Sequence, residues 1–305
     1  MRLATGFVGI YIQDKMVGLG LKILLLLLAI FHALSNDLCN EVNEGTCQNA
    51  EGGVDGILVE YLAWKTYKNK IITQLFDLAR GGFVEDLNSL LFTWQSHSEF
   101  LSMVNYQNSS NGDWSALHVL AYNGDEECAK LLLNYGARLN SRDADLRTPL
   151  HIASATNNID VLEVFLNEDS TKALVEASDK FGATAIHYAA NSGKSEGLAI
   201  LIRSDANIEA KDFGSATIAH ILAEEGFSHL LTLLVSHGIN LNAEDILHKT
   251  PCHYAAANGH LNVIKVLAKH GALMAMKDFE QNTPAKIAEN NGHQTSAKFL
   301  SMYKN

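Results

Sequence analysis

Proline and cysteine are scarce in this chain of 305 residues, which contains 3 prolines and 4 cysteines. Four cysteines are too few to build a disulfide scaffold at this length, so a hydrophobic core has to hold the fold. With 47% hydrophobic and 19% charged residues, the composition is that of a globular protein and excludes a wholly disordered chain. The length suits one or two compact units or one extended repeat array.

Positive charge and catalytic motifs are also lacking. The 23 Lys and Arg residues stand against 34 Asp and Glu, giving a net charge of −11. Such a chain repels a phosphate backbone, which argues against nucleic acid as a partner. The sequence contains no H-E-x-x-H, phosphate-binding glycine loop, G-x-S-x-G or paired C-x-x-C motif. It therefore predicts no enzyme activity, no cofactor and no metal site.

One long apolar run lies near the start of the chain, at residues 23–34 (ILLLLLAIFHAL). Its 12 residues would reach about 18 Å as a helix, well short of the ~30 Å hydrocarbon core of a membrane. The run therefore favours a signal peptide at residues 1–35, cleaved after Ser35, with Met16 as an alternative start. A membrane anchor formed by residues 23–34 and an unprocessed leader on a cytoplasmic protein remain alternatives.

Export would give two features of the sequence a role, the Cys39 and Cys47 pair and the sequon at Asn108. Cys39 and Cys47 bracket a short polar loop and are expected to form a disulfide in an oxidising compartment; otherwise they are two free thiols. Asn108 begins an N-x-[ST] glycosylation sequon in a polar loop. Residues 36–69 form an acidic N-terminal segment, in which a short helix is predicted near residues 57–67.

A repeat organises the rest of the chain. Five of the 13 histidines recur at spacings of 33, 36, 33 and 33 residues: His118, His151, His187, His220 and His253. All three prolines, Pro149, Pro251 and Pro284, fall in one column of the same register. Thr148 before Pro149 is a good helix N-cap, and a proline is favoured in the first turn. Each repeat is therefore expected to begin a helix at this point.

The text T-P-L-H with Ala153 at residues 148–153, and its near match at 250–255, resembles the ankyrin repeat signature. The resemblance covers residues 110–305 and extends to a degenerate unit before them. It implies an all-α solenoid of helix-turn-helix units with β-hairpin-like fingers over residues 70–305. The expected units are residues 70–109, 110–142, 143–178, 179–211, 212–244, 245–277 and 278–305, and the last is an end cap in which Lys286 replaces the motif histidine.

The resemblance also implies that the five motif histidines form hydrogen bonds that pin turns, rather than binding metal. Cys252 occupies the apolar column of Leu117 and Leu150, so it is expected to be a small buried side chain rather than a nucleophile. Cys128 and Cys252 lie four units apart and should not form a disulfide.

Function is therefore expected on the face formed by fingers and first helices, which a solenoid leaves free for partners. The predicted partner-binding residues are Trp114, Tyr122, Asn123, Phe181, Asn191, Ser192, Phe213, Glu224, Glu225, Ile246, Leu247, Asn258 and Phe279. Glu224 and Glu225 favour a basic protein partner, bound by a secreted or lumenal monomer that contacts no membrane after cleavage. A cytosolic or nuclear adaptor and a secreted effector or toxin acting on host targets are the alternatives.

Overall fold

The computed structural model describes residues 54–168 and 173–303, and every regular element in these ranges is a helix. Isolated antiparallel bridges join Asn108 to Trp114 and Ser178 to Thr184. The predicted all-α fold is confirmed. The described residues fall into two units, one ending at Gln74 and one beginning at Leu75. The predicted leader and the Cys39 and Cys47 pair lie outside the described residues.

The helices alternate with turns along the whole described chain. They are α1 Val54–Gly81, α2 Val84–Trp94, α3 Phe100–Val104, α4 Ala116–Asn123, α5 Glu126–Asn134, α6 Pro149–Thr156, α7 Ile159–Glu168, α8 Ala185–Ser192, α9 Ser195–Arg203, α10 Ile218–Glu225, α11 Ser228–Val235, α12 Pro251–Ala257, α13 Leu261–Lys269, α14 Pro284–Asn290 and α15 Gln294–Leu300. A 3₁₀ turn, Ser109–Asn111, precedes α4. From α4 onwards, each expected unit contains two helices.

The short helix predicted near residues 57–67 lies inside α1, which is much longer, at 28 residues. No proline interrupts residues 54–81, so nothing local stops the helix before the pair Gly81 and Gly82. Within the unit that ends at Gln74, the rings of Trp64 and Tyr67 lie 6.4 Å apart. In the described part of the chain, no helix combines the length and the apolar character needed to cross a membrane.

The unit that begins at Leu75 is a stack of helical pairs. The first helices of successive pairs (α4, α6, α8, α10, α12 and α14) pack side by side, and the second helices form a parallel layer. Small side chains at one column, Ala121, Ser154, Ala190, Ala223 and Ala256, are all fully buried and let the first helices approach closely. The last pair has the exposed Glu289 in this column, which suits an end unit.

The expected helix starts are confirmed. Thr148, Thr250 and Thr283 are the N-caps of α6, α12 and α14, and a proline follows each of them in the first turn. The proline lacks the N–H that a first helical turn would leave unpaired, so the column of three prolines marks three helix starts.

A finger precedes each first helix, and a recurring aspartate organises the five fingers before α6, α8, α10, α12 and α14. The Oδ1 atom of this aspartate accepts the backbone N–H four residues further on, at 2.8 to 2.9 Å. The aspartates are Asp143, Asp179, Asp212, Asp245 and Asp278. Neighbouring fingers are joined by backbone hydrogen bonds, such as Phe213 N–H to the Phe181 carbonyl and Phe279 N–H to the Leu247 carbonyl, both at 2.9 Å. The finger tips therefore form one bonded row.

Three residues after each aspartate, the backbone enters the left-handed region. Gly182 has φ +83° at this position, while Ser215 in the next finger has φ +59°. A Cβ atom on Gly182 would lie 2.7 Å from the backbone nitrogen of Phe213, which cannot move without breaking the finger bond. The same finger position therefore tolerates a side chain in one unit and excludes it in the other.

We expect Gly182→Ala to lower the free energy of unfolding by more than about 1 kcal/mol, because it adds left-handed strain and a backbone clash. The matched substitution Ser215→Gly relieves strain but frees the unfolded chain, so its effect should stay within about 1 kcal/mol. Urea unfolding of both variants checks this. Equal losses of stability in the two variants would contradict the finger geometry described above.

Candidate functional site

The motif histidines link each unit to the next. Nδ1 of each ring accepts the backbone N–H of the Ser or Thr N-cap of its own helix, at 2.9 to 3.1 Å. Nε2 of four of them donates to a carbonyl of the following finger, at 3.0 to 3.3 Å. The four pairs are His118 with Arg147, His151 with Ala183, His220 with Lys249 and His253 with Asn282.

This geometry requires a neutral ring. Because Nδ1 accepts a backbone N–H, the single ring proton has to sit on Nε2, where it is donated across the junction. Burial lowers the pKa of all five histidines, and it lowers the pKa of His151 to about 4. The neighbouring carbonyls oppose this shift only in part. The five rings are thus uncharged at neutral pH, and four of them donate a hydrogen bond to the next unit.

His187 differs from the other four motif histidines. It accepts the Thr184 N–H at 3.1 Å, yet its Nε2 is buried and has no hydrogen-bond partner. Among the described residues, this Nε2 is the buried side-chain nitrogen that has no hydrogen-bond partner.

The remaining titratable side chains in the described ranges do not form a metal site: no group of three His, Cys, Asp or Glu side chains comes together there. Cys128 and Cys252 are buried free thiols, and burial raises the pKa of each to about 12. A thiol with such a pKa is a poor nucleophile at neutral pH.

The apolar finger residues are exposed. Phe213 has 73% of its surface exposed, Phe279 71% and Ile246 64%, and these three side chains occupy one column of successive fingers. Phe181 and Leu247 stand in the adjacent column, at 61% and 47%. These five residues are called the finger strip below. Backbone hydrogen bonds join their fingers in a row, so a partner does not have to bring these side chains together.

Contacts with neighbouring fingers cover only part of the surface of these side chains. The Phe213 ring stands over Gly182, where an added Cβ atom would lie 2.6 Å from its Cδ1. The Lys180 ammonium lies 4.9 Å from the centroid of the Phe181 ring and pairs with Asp145 at 2.6 Å. Both features stabilise neighbouring fingers. The larger part of each finger-strip side chain nevertheless faces solvent.

The first-helix residues predicted to bind a partner divide into two groups. Asn123 and Asn258 already serve the stack: their Nδ2 groups donate to the Arg80 carbonyl at 3.0 Å and to the Glu224 carbonyl at 3.1 Å. The Ser192 hydroxyl donates within its own helix.

The second group presents side chains to solvent. Glu224, Glu225 and Asn191 are exposed at the ends of α10 and α8. Tyr122 is 59% exposed, and its ring lies 5.8 Å from that of the half-buried Trp114. This aromatic pair lies beside the second unit's finger, well before the finger strip along the chain.

The glycosylation candidate Asn108 is half-buried at the start of the 3₁₀ turn. Its Oδ1 accepts the Ser110 N–H at 3.1 Å. Glycosylation of this residue stays a prediction.

Two features of the fingers were not predicted from the sequence. The finger aspartates recur in step with the motif histidines, so the alignment of repeats contained their signal. Tyr188 and Tyr254 donate their hydroxyls to Asp179 and Asp245, both at 2.7 Å, and so tie a first helix to its own finger. Only these two units have a tyrosine after the motif histidine.

Two open cavities lie beside the fourth and fifth units, and the larger one also borders the third. One of about 180 Å³ is lined by Ala183, His187, Tyr188, Asn191 and Ile221, on the side of the first helices. The other, of about 480 Å³, lies among the second helices. Its lining combines apolar side chains with Glu163, Glu196, Arg203 and His237.

A protein-family model described as ankyrin repeats in three copies matches residues 75–174, 148–212, 165–245 and 219–305 of this chain. Among solved structures, the ankyrin repeat domain of Bcl-3 superposes with a TM-score of 0.64 at 24% identity, covering 74% of this chain and 97% of that one. The human ASB11 ankyrin repeat domain also gives 0.64, at 23% identity, covering 76% and 97%. These likenesses show the fold.

Curated relatives match over shorter lengths. Tyrosine-protein kinase HTK16 of Hydra vulgaris is 31% identical over 93 residues, which is 30% of this chain and 12% of the kinase. Inversin of Canis lupus familiaris is 32% identical over 93 residues, covering 30% and 8%. The similarity thus spans about a tenth of the length of these relatives.

Proposed function

Because this chain belongs to the ankyrin repeat family, we propose that it is a non-catalytic scaffold that binds a protein partner along its fingers. The observation that carries this proposal is the exposure of the finger strip. Large apolar side chains are unfavourable at solvent-facing tips, and a contiguous exposed set of them is typical of an interaction surface.

The arrangement of the finger strip suits protein binding. Phe213, Ile246 and Phe279 are held by backbone bonds between fingers, so a partner does not have to order them. Preorganised anchors lower the cost of association, and buried aromatic side chains commonly dominate binding energy. An apolar segment of a partner, laid across the fifth to seventh fingers, would cover all three.

Charge favours a basic partner. Glu224 and Glu225 are exposed beside the fingers, and the chain as a whole has a net charge of −11. Opposite charge speeds the encounter of two proteins, and added salt reduces this effect. Association with the partner should therefore be faster at low ionic strength. We infer that one copy of this chain suffices for binding.

We also propose that the protein is exported, on the strength of the apolar run at residues 23–34 and the small side chains that follow it. In an oxidising compartment, Cys39 and Cys47 would pair, whereas Cys128 and Cys252 would remain buried thiols.

Expression in a cell with a secretory pathway tests export. The mature chain should begin at Asn36, and alkylation after denaturation without reduction should modify Cys128 and Cys252 while sparing Cys39 and Cys47. Mass spectrometry reads both results from one sample. An intact leader in a soluble cytosolic fraction, with four modified cysteines, would rule out export.

Truncation of finger anchors tests partner binding. Proteins retained from cell extracts by the full chain are compared with those retained by Phe213→Ala and Phe279→Ala. Loss of about 2 kcal/mol per anchor corresponds to an affinity roughly 30-fold weaker, which quantitative recovery would detect. Phe92→Ala is the control, because Phe92 is 60% exposed on α2 and lies outside the strip. If partners are retained equally by all the folded variants, the finger strip is not the binding surface.

A further inference from the structure

Side-chain bonds to carbonyls join neighbouring units at two levels. The first level is the motif histidine, as at His220 and the Lys249 carbonyl. The second lies at the end of the first helix, where Asn258 and His260 both donate to the Glu224 carbonyl, at 3.1 and 2.8 Å. Asn291 and His293 repeat this pattern one unit later, on the Ala257 carbonyl, at 2.8 and 3.0 Å.

The junction between the fourth and fifth units lacks both levels. His187 Nε2 lies beyond hydrogen-bond distance of the Ala216 carbonyl, although the other four motif histidines donate from this atom to the equivalent carbonyl. At the helix end, Glu225 and Phe227 occupy the positions that Asn258 and His260 hold one unit later. A carboxylate and a phenyl ring have no N–H to donate.

The Phe227 substitution is close in shape. Its ring lies over Gly193, where a Cβ atom would approach it to 2.5 Å, just as the His260 ring lies over Gly226 at 2.8 Å. The contact is thus preserved while the hydrogen bond is lost. The Phe227 ring keeps the fourth and fifth units in contact. It does not fix the angle between the two units, as a directional hydrogen bond would.

Packing at this junction is also looser. Helix α8 packs less extensively against α10 than against α6. Helix α10 likewise packs less extensively against α8 than against α12. The open cavity of about 180 Å³ lies at this junction among the first helices, and the open cavity of about 480 Å³ spans the second helices of the third, fourth and fifth units. The open space beside the junction leaves room for the two units to rotate relative to each other.

Two hydrogen bonds cross the junction between the described residues. The Phe213 N–H donates to the Phe181 carbonyl at 2.9 Å, and the Asn240 N–H donates to Glu209 Oε1 at 2.6 Å. Both lie in the fingers and the turns after second helices rather than between helices. We propose that the fourth and fifth units meet at a flexible joint, about which the stack before residue 212 and the stack after it move as two blocks.

This joint separates two parts of the candidate surface. Trp114, Tyr122 and Phe181 belong to the first block, whereas the other four finger-strip residues belong to the second. Bending at the joint changes the distance from the aromatic pair to the finger-strip residues of the second block. A partner that contacts both blocks selects one angle from the range, so its affinity depends on the stiffness of the joint.

Restoring the missing donors tests the joint. The double variant Glu225→Asn, Phe227→His supplies the two groups that Asn258 and His260 provide one junction later. The matched reverse variant, Asn258→Glu with His260→Phe, should loosen the junction between α10 and α12. Hydrogen exchange in the full chain should be about 5- to 30-fold slower in α8 after the restoration, since two net hydrogen bonds are gained. Unchanged exchange in the folded double variant would overturn the proposal.

Distance distributions measure the motion itself and do not need a partner. Asn134, Arg203 and Lys269 hold equivalent exposed positions on α5, α9 and α13. Spin labels attached to a non-natural keto residue at these positions give two matched pairs, 134 with 203 and 203 with 269. The labels of each pair lie two units apart, but only the pair at 203 and 269 crosses the joint. The distribution of distances between the labels should be broader for this pair, and in the restored variant it should narrow to that of the pair at 134 and 203. Equal widths in the unmodified protein would refute the joint while leaving partner binding open.

Discussion

The neutral, buried histidine between a helix start and the next finger is the interaction on which this structure depends. Its Nδ1 accepts from the cap of its own helix and its Nε2 donates to the neighbouring unit, so one side chain fixes a turn and a junction together. Either role alone would leave a buried nitrogen unsatisfied, which costs about 1 to 3 kcal/mol. Repetition of this bond sets the spacing of the fingers, and with it the spacing of the exposed finger strip.

Function follows from the same regularity. Each finger tip is fixed by its aspartate and by backbone bonds to neighbouring fingers. The apolar side chains at the tips therefore stay exposed, because the tips do not move to bury them. Phe213 illustrates the compromise: its ring lies over Gly182 and still has 73% of its surface exposed. Where the histidine bond to the next unit is missing, at His187, we propose that the stack loses stiffness while the finger bonds keep it continuous. Regular bonding therefore builds the surface, and one interruption allows the surface to bend.

Much of the fold could be predicted from the sequence, because the signals are local and repeated. The column of histidines and prolines places the helix starts, since capping and the geometry of proline act within four residues. The length of α1 was underestimated because no local stop signal exists before Gly81. The finger aspartates were missed although they share the histidine spacing.

The candidate site was harder to predict. Asn258 and Asn123 were expected to face a partner, yet their amides bond to carbonyls 34 and 43 residues away. Nothing in the local sequence distinguishes such a cross-unit bond from an exposed amide. The exposure of Phe213 and Phe279 likewise depends on the neighbouring fingers. Residue type alone therefore does not show whether these rings pack against the next finger or remain exposed to a partner.

The pH dependence of stability tests the role of the histidines most directly. The folded pKa of His151 is about 4, below the ordinary value of 6.5, so its stabilising contribution is complete above pH 6.5 and is lost as the pH falls toward 4. In urea unfolding between pH 7.5 and 4.5, His151→Gln should be less stable than the unmodified chain at pH 7.5. That difference should shrink by up to about 1.4 kcal/mol per pH unit below pH 6.5. Parallel curves for the two proteins would contradict the account of a neutral histidine that holds the units together.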